Sequence, residues 1–419
     1  MGKILIRGGR PVNGRVKASG AKNAALPILA AMLMLPGENT ITNIPNLADV
    51  ITMIRMLRSL GLRAEYIKPN TVKTWRNGGT IKYIAPYDLV TKMRASFFVA
   101  GPLLATRRVA KIPMPGGCAI GTRPIGLHLK GFEALGAKVN IEHGFVELKA
   151  KKLIGNKVYL DFPSVGATEN IIMAAVFAEG QTIIENAARE PEIEDLINFL
   201  KQAGADIKGS GTDVIEINGV TELHSVKDYS IIPDRVEAGT LLLAGAITKG
   251  AVTVDNVQPK HFEGLLRKLK ESGVQIEVMD NSVSLKTNGA RKSIDIETLP
   301  HPGFPTDMQA QMMAYLTTAE GTSVITETVF ENRFTHAQEL QRMGANIKIS
   351  EHNAIVHGVQ KLSGAPVKVT DLRAGAALIL AGLAAEGETL VYGMKHINRG
   401  YERIVDKLNS IGADIIELG

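Results

Sequence analysis

The chain has 419 residues, of which 45% are hydrophobic and 21% are charged, and its formal net charge is +6. Because this length exceeds what one hydrophobic core usually serves, we expect two domains. A single cysteine excludes a disulfide framework and is compatible with a reducing cytosol, while a single tryptophan and dispersed basic residues argue against nucleic-acid binding. Small anionic substrates explain the positive charge equally well.

The first apolar segment, at residues 24–35, imitates a targeting signal because basic residues precede it. The segment is too short to span a bilayer, and the sequence PGEN follows at 36–39, where a secretory signal needs small residues for cleavage. It also resembles later segments of the chain, which favours a buried helix. We therefore expect a cytoplasmic protein without membrane contact.

A five-residue signature recurs six times along the chain. LGLRA at 60–64 returns as LGAKV, AGADI, SGVQI, MGANI and IGADI. The signature glycines are roughly 70 residues apart, a period typical of repeated structural units. They stand at Gly61, Gly136, Gly204, Gly273, Gly344 and Gly412.

Each copy combines two kinds of helical pattern. An amphipathic pattern ends at the signature glycine, which predicts a helix with a glycine C-cap, and a short strand follows. Upstream lies a segment with almost no polar face, which predicts a helix buried on all sides. Such segments occupy residues 23–37, 169–180, 237–250, 308–321 and 374–387.

Short β-rich runs, such as KYIAP at 82–86 and TIIEN at 182–186, flank these helices. The repeat is therefore predicted to be β-α-β-α-β-β. Six repeats suggest two α/β domains of three repeats each, with the apolar helices inside and the sheets outside. One crossing between the domains is expected near residues 229–239.

The single cysteine, Cys118, lies in the glycine-rich stretch 113–124. Its flanking glycines allow close backbone approach and predict a loop that presents the thiol. Basic neighbours, including Lys111 and Arg123, favour a lowered pKa of the thiol. A lone cysteine is more often a small buried hydrophobe, but the surrounding glycines and prolines favour a reactive thiol here.

Polar residues gather where the apolar helices begin. A helix N-terminus offers unpaired N–H groups and a positive dipole end, so it suits an anion. For any one of these residues, N-capping or a solvated charge is the alternative, but their recurrence favours a site. They are Lys22, Asn23, Arg94, the segment 164–168, Asp234, Arg235, Thr306, Asp307 and the segment 371–373.

Several cations suit a substrate that carries both carboxylate and phosphate, because arginine binds either group with two hydrogen bonds. For Arg333 alone, pairing with Glu331 is the alternative. The acidic run at 190–195 is interpreted as a structural helix start. The candidate cations are Lys22, Arg123, Arg333, Arg373 and Arg399.

The sequence contains no nucleotide-hydrolase phosphate loop, dinucleotide glycine fingerprint, histidine pair at metal spacing or G-x-S-x-G motif. We therefore expect neither an organic cofactor nor a metal. The sequence predicts no particular oligomeric state.

Several of these motifs together resemble the UDP-N-acetylglucosamine 1-carboxyvinyltransferases of the enolpyruvyl transferase family, and the resemblance covers essentially the whole chain. The motifs are SGAKNAALPIL, PGGCAIGTRP, SVGAT, PTDMQAQ, ETVFENRFTH, DLRAG and HINRGYERI. The resemblance implies two inside-out α/β domains, residues 1–21 with 233–419 and residues 22–232. It also implies transfer of the enolpyruvyl group of phosphoenolpyruvate to the 3′-hydroxyl of UDP-N-acetylglucosamine, the first committed step of peptidoglycan synthesis.

The resemblance also implies roles for individual residues. Cys118 would donate a proton, form a covalent adduct with phosphoenolpyruvate and be alkylated by fosfomycin, and Asp307 would accept the sugar hydroxyl proton. Lys22 and Arg399 complete the catalytic set. Phosphoenolpyruvate would bind Lys22, Asn23, Arg123, Arg373 and Arg399. The UDP-sugar would bind Asn23, Arg94, Arg123, Pro124, Ile125, Gly126, Leu127, Ser164, Val165, Gly166, Asp307 and Val329.

Two positions depart from the expected pattern. Gly126 stands where the family usually has an aspartate that helps to hold the UDP-sugar, and Phe162 and Pro163 replace a basic stretch found in some members. Weaker sugar binding is the expected consequence. An enolpyruvyl transferase with another acceptor, such as shikimate 3-phosphate, and a non-enzymatic protein that binds the UDP-sugar are the alternatives.

Overall fold

The computed structural model describes residues 2–76, 79–115, 125–289 and 291–419. The chain divides into two compact units. Unit 1 contains the described residues of 2–19 and 233–419, and unit 2 contains those of 20–232. Each unit has its own hydrophobic core. In the part of the chain described, no helix is long and apolar enough to cross a membrane.

The elements follow one another as short strands and helices. The α-helices are α1 Lys22–Ala31, α2 Ala48–Ser59, α3 Tyr87–Val90, α4 Ala100–Arg107, α5 Gly126–Ala134, α6 Val165–Ala175, α7 Pro191–Gln202, α8 Arg235–Ile247, α9 Glu263–Glu271, α10 Gln309–Leu316, α11 Ala337–Arg342, α12 Leu372–Ala384, α13 Met394–Ile397 and α14 Ile404–Ser410. Short 3-10 helices span Met32–Met34, Arg94–Val99, Pro259–Phe262 and Thr306–Met308.

The strands are mostly five residues or shorter. They are β1 Lys3–Arg7, β2 Asn13–Lys17, β3 Glu38–Thr42, β4 Arg63–Lys68, β5 Thr71–Trp75, β6 Val109–Pro113, β7 Lys138–Glu142, β8 Phe145–Lys149, β9 Lys157–Tyr159, β10 Gln181–Glu185, β11 Asp206–Lys208, β12 Val214–Asn218, β13 Tyr229–Ser230, β14 Ala251–Asp255, β15 Gln275–Val278, β16 Ser282–Lys286, β17 Ile296–Glu297, β18 Thr322–Thr326, β19 Asn346–Ser350, β20 Asn353–His357, β21 Pro366–Lys368, β22 Glu388–Tyr392 and β23 Ile415–Leu418.

Within the described residues the strands form six sheets, one for each repeat. In the sheet β11-β12-β10-β9, β10 pairs in parallel with β9 and antiparallel with β12, which pairs antiparallel with β11. The chain order β9-α6-β10-α7-β11-β12 is the predicted repeat. The sheet β6-β8-β7 has three strands, because the predicted strand at 82–86 contributes only a parallel bridge between Ile84 and Lys111. The next hydrogen bond of this register would run from the N–H of residue 113 to the Ala85 carbonyl, and Pro113 of β6 has no N–H.

Strands from distant parts of the chain complete three of the sheets. In unit 1, β2 pairs in parallel with β14, and β1 lies antiparallel between β22 and β23. In unit 2, β13 pairs in parallel with β3. It serves as the first strand of the repeat whose first helix is α1. In unit 1 these pairings join the segment 2–19 to the segment 233–419. In unit 2 they join the end of the segment 20–232 to its beginning.

The six signature glycines end their helices as predicted. All six have positive φ, between +89° and +104°, a conformation that glycine adopts without strain. In the third copy the Gly204 N–H donates to the Lys201 carbonyl at 3.0 Å, and the Ala205 N–H donates to the Leu200 carbonyl at 2.9 Å. This pair of bonds is the Schellman motif, and it recurs in the other five copies.

The apolar helices form the centre of each unit. Every residue of α10, and every residue of α8 after Arg235, is buried, whereas the strands alternate between buried and exposed positions. In unit 1, α8, α10 and α12 pack against one another, and in unit 2, α4 packs against α6. The predicted inside-out α/β fold is confirmed. The sequence pattern missed α4, which begins as the 3-10 helix Arg94–Val99.

Candidate active site

In unit 1, Asp307 lies at the start of a buried helix and contacts two arginines. Its Oδ1 accepts a hydrogen bond from Arg333 Nη2, and its Oδ2 accepts one from Arg373 Nη2, both at 2.7 Å. The arginine side chains are only 4% and 7% exposed, but 28% of the Asp307 side chain remains exposed. Part of the Asp307 side chain therefore faces solvent, while both arginine side chains are almost fully buried.

The arginines determine the charge of Asp307. Removal from water raises the pKa of a carboxyl group, but the positive charges of Arg373 and Arg333 outweigh this effect and hold the pKa of Asp307 well below its usual range. The carboxylate is therefore ionised at neutral pH. Arg333 thus pairs with Asp307, at a sequence distance of 26 residues, and not with its neighbour Glu331 in the pairs described.

Glu327 ties the predicted residue Val329 to the segment before Asp307. This glutamate is 1% exposed. Its Oε1 accepts hydrogen bonds from the Val329 N–H at 2.9 Å and from the Thr298 hydroxyl at 2.8 Å, and its Oε2 accepts one from the Thr306 hydroxyl at 2.9 Å. The structure therefore brings Val329 and Asp307 together. Sequence reasoning missed Glu327, although it stands two residues before Val329 in the motif ETVFENRFTH.

Two of the predicted anion sites at helix N-termini are occupied by their own side chains. The Asp234 carboxylate accepts from the N–H groups of Val236 and Glu237, and the Asp371 carboxylate accepts from those of Arg373 and Ala374. For these aspartates the capping alternative is correct. Their carboxylates leave less positive potential at the starts of α8 and α12 than the sequence suggested.

Arg399 lies in the turn between α13 and α14 and is half-buried. The next residue, Gly400, packs so closely on the start of α12 that an added Cβ would lie 2.4 Å from Leu372 Cδ2. This contact holds the turn with Arg399 against the helix that begins with Leu372 and Arg373. In unit 1 the structure thus joins Asp307 to Arg373, ties Val329 to the segment before Asp307, and holds the turn that contains Arg399 against the start of α12.

In unit 2, Lys22 and Asn23 are the first residues of α1. The Lys22 Nζ lies 3.5 Å from Asp49 Oδ2, and both side chains are largely buried. The N-cap residue, Ala21, has no side chain that can accept from the first N–H groups. Unlike the starts of α8 and α12, the start of α1 is therefore not capped by the side chain of its own N-cap residue. Sequence reasoning did not find Asp49 as the partner of Lys22.

His128 and Asn170 hold together the helices of unit 2 that carry the other predicted residues. The buried Asn170 amide contacts His128 Nδ1 at 3.0 Å, donates to the Phe97 carbonyl and accepts from the Gly101 N–H at 2.9 Å. His128 also contacts the Phe97 ring edge-on, with 5.2 Å between centroids. These contacts join α5 and α6 to the 3-10 helix that Arg94 begins.

The starts of α5 and α6 meet at Gly166. An added Cβ at Gly166 would lie 3.3 Å from His128 Cε1, so Val165 and Gly166 approach α5, which begins with Gly126 and Leu127 directly after Ile125. The Ser164 hydroxyl accepts from the Ala167 N–H at 3.4 Å and caps α6. The structure therefore brings the predicted segments 125–127 and 164–166 together. Cys118, Arg123 and Pro124 lie outside the described residues.

Comparisons with known proteins place this chain in a family. The protein-family model described as EPSP synthase (3-phosphoshikimate 1-carboxyvinyltransferase) matches residues 6–408. UDP-N-acetylglucosamine 1-carboxyvinyltransferase 2 of Carboxydothermus hydrogenoformans is 55% identical over 417 residues, 99% of both chains. UDP-N-acetylglucosamine 1-carboxyvinyltransferase 1 of Caldanaerobacter subterraneus subsp. tengcongensis is 55% identical over 413 residues, which are 99% of both chains. The chain belongs to the UDP-N-acetylglucosamine 1-carboxyvinyltransferase family.

Solved structures share the fold of this family member. The enolpyruvyl transferase NikO from Streptomyces tendae superposes with a TM-score of 0.89 at 24% identity and covers 99% of this chain and 98% of its own. EPSP synthase from Acinetobacter baumannii gives a TM-score of 0.77 at 19% identity over 100% of both chains. At these identities the similarity concerns the fold, which agrees with the inside-out architecture described above.

The contacts of Asn170 give a testable prediction for this family member. Asn170→Ala leaves the Gly101 N–H, the Phe97 carbonyl and His128 without their buried partner, so we expect a loss of about 2–5 kcal/mol in the free energy of unfolding. Urea denaturation measures this loss. The matched control is Asn218→Ala, which removes an exposed hydrogen bond to Asp206 and should change stability by less than about 0.5 kcal/mol. Equal effects of the two variants would contradict the assembly role of Asn170.

Proposed function

We propose that this protein transfers the enolpyruvyl group of phosphoenolpyruvate to the 3′-hydroxyl of UDP-N-acetylglucosamine and releases phosphate, as the first committed step of peptidoglycan synthesis. The observation that carries this proposal is the 55% identity, over 417 residues, to a UDP-N-acetylglucosamine 1-carboxyvinyltransferase. We propose further that units 1 and 2 are the two domains expected from the sequence, and that the protein acts in the cytoplasm.

The reaction proceeds by addition and elimination. The sugar oxygen forms a bond to C2 of phosphoenolpyruvate, its proton goes to a base, and the methylene carbon C3 gains a proton from an acid. C3 then loses a proton, the bond between C2 and the phosphate oxygen breaks, and the double bond forms again. The reaction therefore needs an acid, a base and cations for the phosphate and carboxylate.

Asp307 suits the role of the base. Its carboxylate is ionised and partly exposed, and two hydrogen bonds fix its orientation. With both arginines bound it is a weak base, because its pKa is low. When an anionic group of phosphoenolpyruvate takes hydrogen bonds from Arg373, Asp307 loses part of its positive surroundings, and its pKa rises. Binding of phosphoenolpyruvate thereby prepares the base for the sugar hydroxyl.

Cations and a helix N-terminus suit the anionic substrate. We assign Lys22 and Asn23 at the start of α1, together with Arg123, Arg373 and Arg399, to phosphoenolpyruvate. Asp49 beside Lys22 supports this assignment, since the 3.5 Å contact between the two largely buried side chains limits the rotamers of the lysine. Cys118 is assigned as the proton donor to C3 and as the site of a covalent adduct.

The UDP-sugar is assigned to residues that the contacts of His128 and Glu327 hold in place. Segments 125–127 and 164–166 meet at Gly166 in unit 2, and Val329 is tied to the segment before Asp307 in unit 1. Asn23, Arg94, Arg123 and Pro124 complete the assignment. Backbone N–H groups at the starts of α5 and α6 suit a diphosphate.

Phosphate release from phosphoenolpyruvate tests the proposed function. We expect release that requires UDP-N-acetylglucosamine and that falls at least about 100-fold in Asp307→Asn and in Cys118→Ala, because each removes a proton-transfer group. The matched control is Asp255→Asn, which removes a carboxylate that pairs with Arg15 on the surface. Circular dichroism checks that each variant is folded.

Three outcomes would contradict parts of this proposal. Release with shikimate 3-phosphate and none with the UDP-sugar would assign another acceptor. No release with either acceptor, combined with binding of the UDP-sugar, would favour a binding protein. Full activity of folded Asp307→Asn would overturn the assignment of the base.

The glycine at position 126 gives a second prediction. It is the first residue of α5, and an added Cβ would meet no atom of the described residues within 4 Å, which leaves room there for an aspartate. We expect Gly126→Asp to lower the KM for UDP-N-acetylglucosamine about 2- to 10-fold, the range of one added hydrogen bond. Gly126→Ala is the control for effects on the helix. The same KM in both variants would show that the missing carboxylate does not limit sugar binding.

A further inference from the structure

Tyr401 is a buried side chain that the proposed mechanism does not use. It follows Arg399 and Gly400 in the motif HINRGYERI and is 2% exposed. Its hydroxyl lies among three buried helices of unit 1. It is 2.9 Å from Thr240 Oγ1 of α8, 3.1 Å from Gln311 Nε2 of α10 and 3.5 Å from Arg373 Nη1 of α12.

The direction of each hydrogen bond follows from the number of protons available. The Thr240 hydroxyl donates its one proton to the Val236 carbonyl at 2.8 Å, so it can only accept from Tyr401. Burial raises the pKa of Tyr401, and the phenol therefore keeps the proton that it donates to Thr240. The lone pairs of the phenol oxygen then face Gln311 Nε2 and Arg373 Nη1, which have protons to donate.

This arrangement fixes the guanidinium of Arg373 at two points. Its Nη2 donates to Asp307 Oδ2 at 2.7 Å, while Nη1 donates to the Tyr401 oxygen. The Arg373 guanidinium carbon also lies 5.8 Å from the centroid of the Tyr401 ring, within the range of a cation–π contact. A buried guanidinium with both nitrogens bound has little freedom to rotate.

The same network reaches the backbone of Asp307. Gln311 Nε2, which donates to Tyr401, also donates to the Asp307 carbonyl at 3.0 Å. Tyr401 therefore contacts one residue that binds the Asp307 backbone and another that binds its carboxylate. Among the described residues, the other charged groups that act on this cluster are Arg333, which binds Asp307, and Asp234, near Arg373 and Tyr401.

We propose that Tyr401 is a positioning residue: its phenol oxygen and ring hold Arg373 in the one orientation that aligns the Asp307 carboxylate. This inference rests on the proposed function for its effect on turnover, but the geometry itself can be tested without turnover. Only 2% of Tyr401 is exposed, which leaves little of it for contact with a substrate. It acts through Arg373 and Gln311.

The chain provides a matched control in Tyr315. This tyrosine is also fully buried in unit 1, its hydroxyl lies 2.8 Å from the Ser272 hydroxyl, and Arg291 lies 5.9 Å from its ring centroid. Tyr315→Phe removes a buried phenol beside an arginine, as Tyr401→Phe does. No residue assigned to substrates or chemistry bonds to it in the contacts described.

The test compares the two variants in the full chain by two readouts. In the first, ¹³C NMR of labelled aspartate follows the titration of Asp307, identified by its absence in Asp307→Asn. In Tyr401→Phe a less firmly held Arg373 depresses the pKa of Asp307 less, so the pKa should lie above that of the wild type. In Tyr315→Phe it should be unchanged.

The second readout is turnover of phosphoenolpyruvate and UDP-N-acetylglucosamine. We expect kcat/KM to fall about tenfold or more in folded Tyr401→Phe, since a small displacement of a catalytic group has an effect of this size. The acid limb of the pH profile should move to higher pH, because a carboxylate with a raised pKa becomes protonated sooner as the pH falls. Tyr315→Phe should keep the wild-type profile.

The outcomes separate the two proposals. An inactive wild type would contradict the proposed function, while a raised pKa of Asp307 in Tyr401→Phe would still support the positioning role. If folded Tyr401→Phe leaves both the pKa of Asp307 and the pH profile unchanged, the positioning role of Tyr401 is overturned. If Tyr401→Phe does not fold, Thr240→Val removes the acceptor of the phenol proton and must give the same two changes.

Discussion

The carboxylate of Asp307 lies between two buried guanidinium groups, and the buried helices of unit 1 are organised around this contact. Arg373 comes from the start of α12, Arg333 from the loop before α11, and Asp307 from the 3-10 helix before α10. Neither arginine can be buried without a counter-charge, since an unpaired buried charge costs about 3–5 kcal/mol. The Asp307 carboxylate therefore stabilises the fold as the counter-charge of both arginines. Part of the Asp307 side chain also remains exposed to solvent.

These two demands on Asp307 oppose each other. The arginines that make burial possible also lower the pKa of the carboxyl group, and a low pKa makes a poor base. The proposed mechanism resolves this conflict because Arg373 has a second partner in an anionic substrate. The surrounding neutral groups, Tyr401, Gln311 and Thr240, then keep the cluster in place without adding a charge that would change its balance. In the proposed mechanism the base stays weak until phosphoenolpyruvate binds.

Local patterns in the sequence predicted much of the fold. The six glycine signatures predicted helix ends with positive φ, and the all-round apolar segments predicted buried helices, because both depend on residues close together in the chain. The strand at 82–86 and the helix α4 were predicted less well, since Pro113 of β6 has no N–H to extend the pairing of the first and a 3-10 segment begins the second. For the site, Lys22 and Asp307 stood out as polar residues at apolar helices. Arg333 and Arg373 stood out as cations too. Their pairing with Asp307, and that of Lys22 with Asp49, was not predicted, because the partners are 26 or more residues apart in the chain. Asn170, Glu327 and Tyr401 looked like ordinary helix or loop residues until the contacts were known.

The most direct test of this account is the ionisation of Asp307 in the substrate-free wild type, measured by ¹³C NMR of labelled aspartate from neutral pH down to the lowest pH at which the protein remains folded. The account predicts that the Asp307 carboxylate stays ionised after the exposed aspartates have begun to take up protons, and that added phosphoenolpyruvate shifts its titration to higher pH. A carboxyl group that titrates with the exposed aspartates, or above them, would contradict the central role of the two arginines.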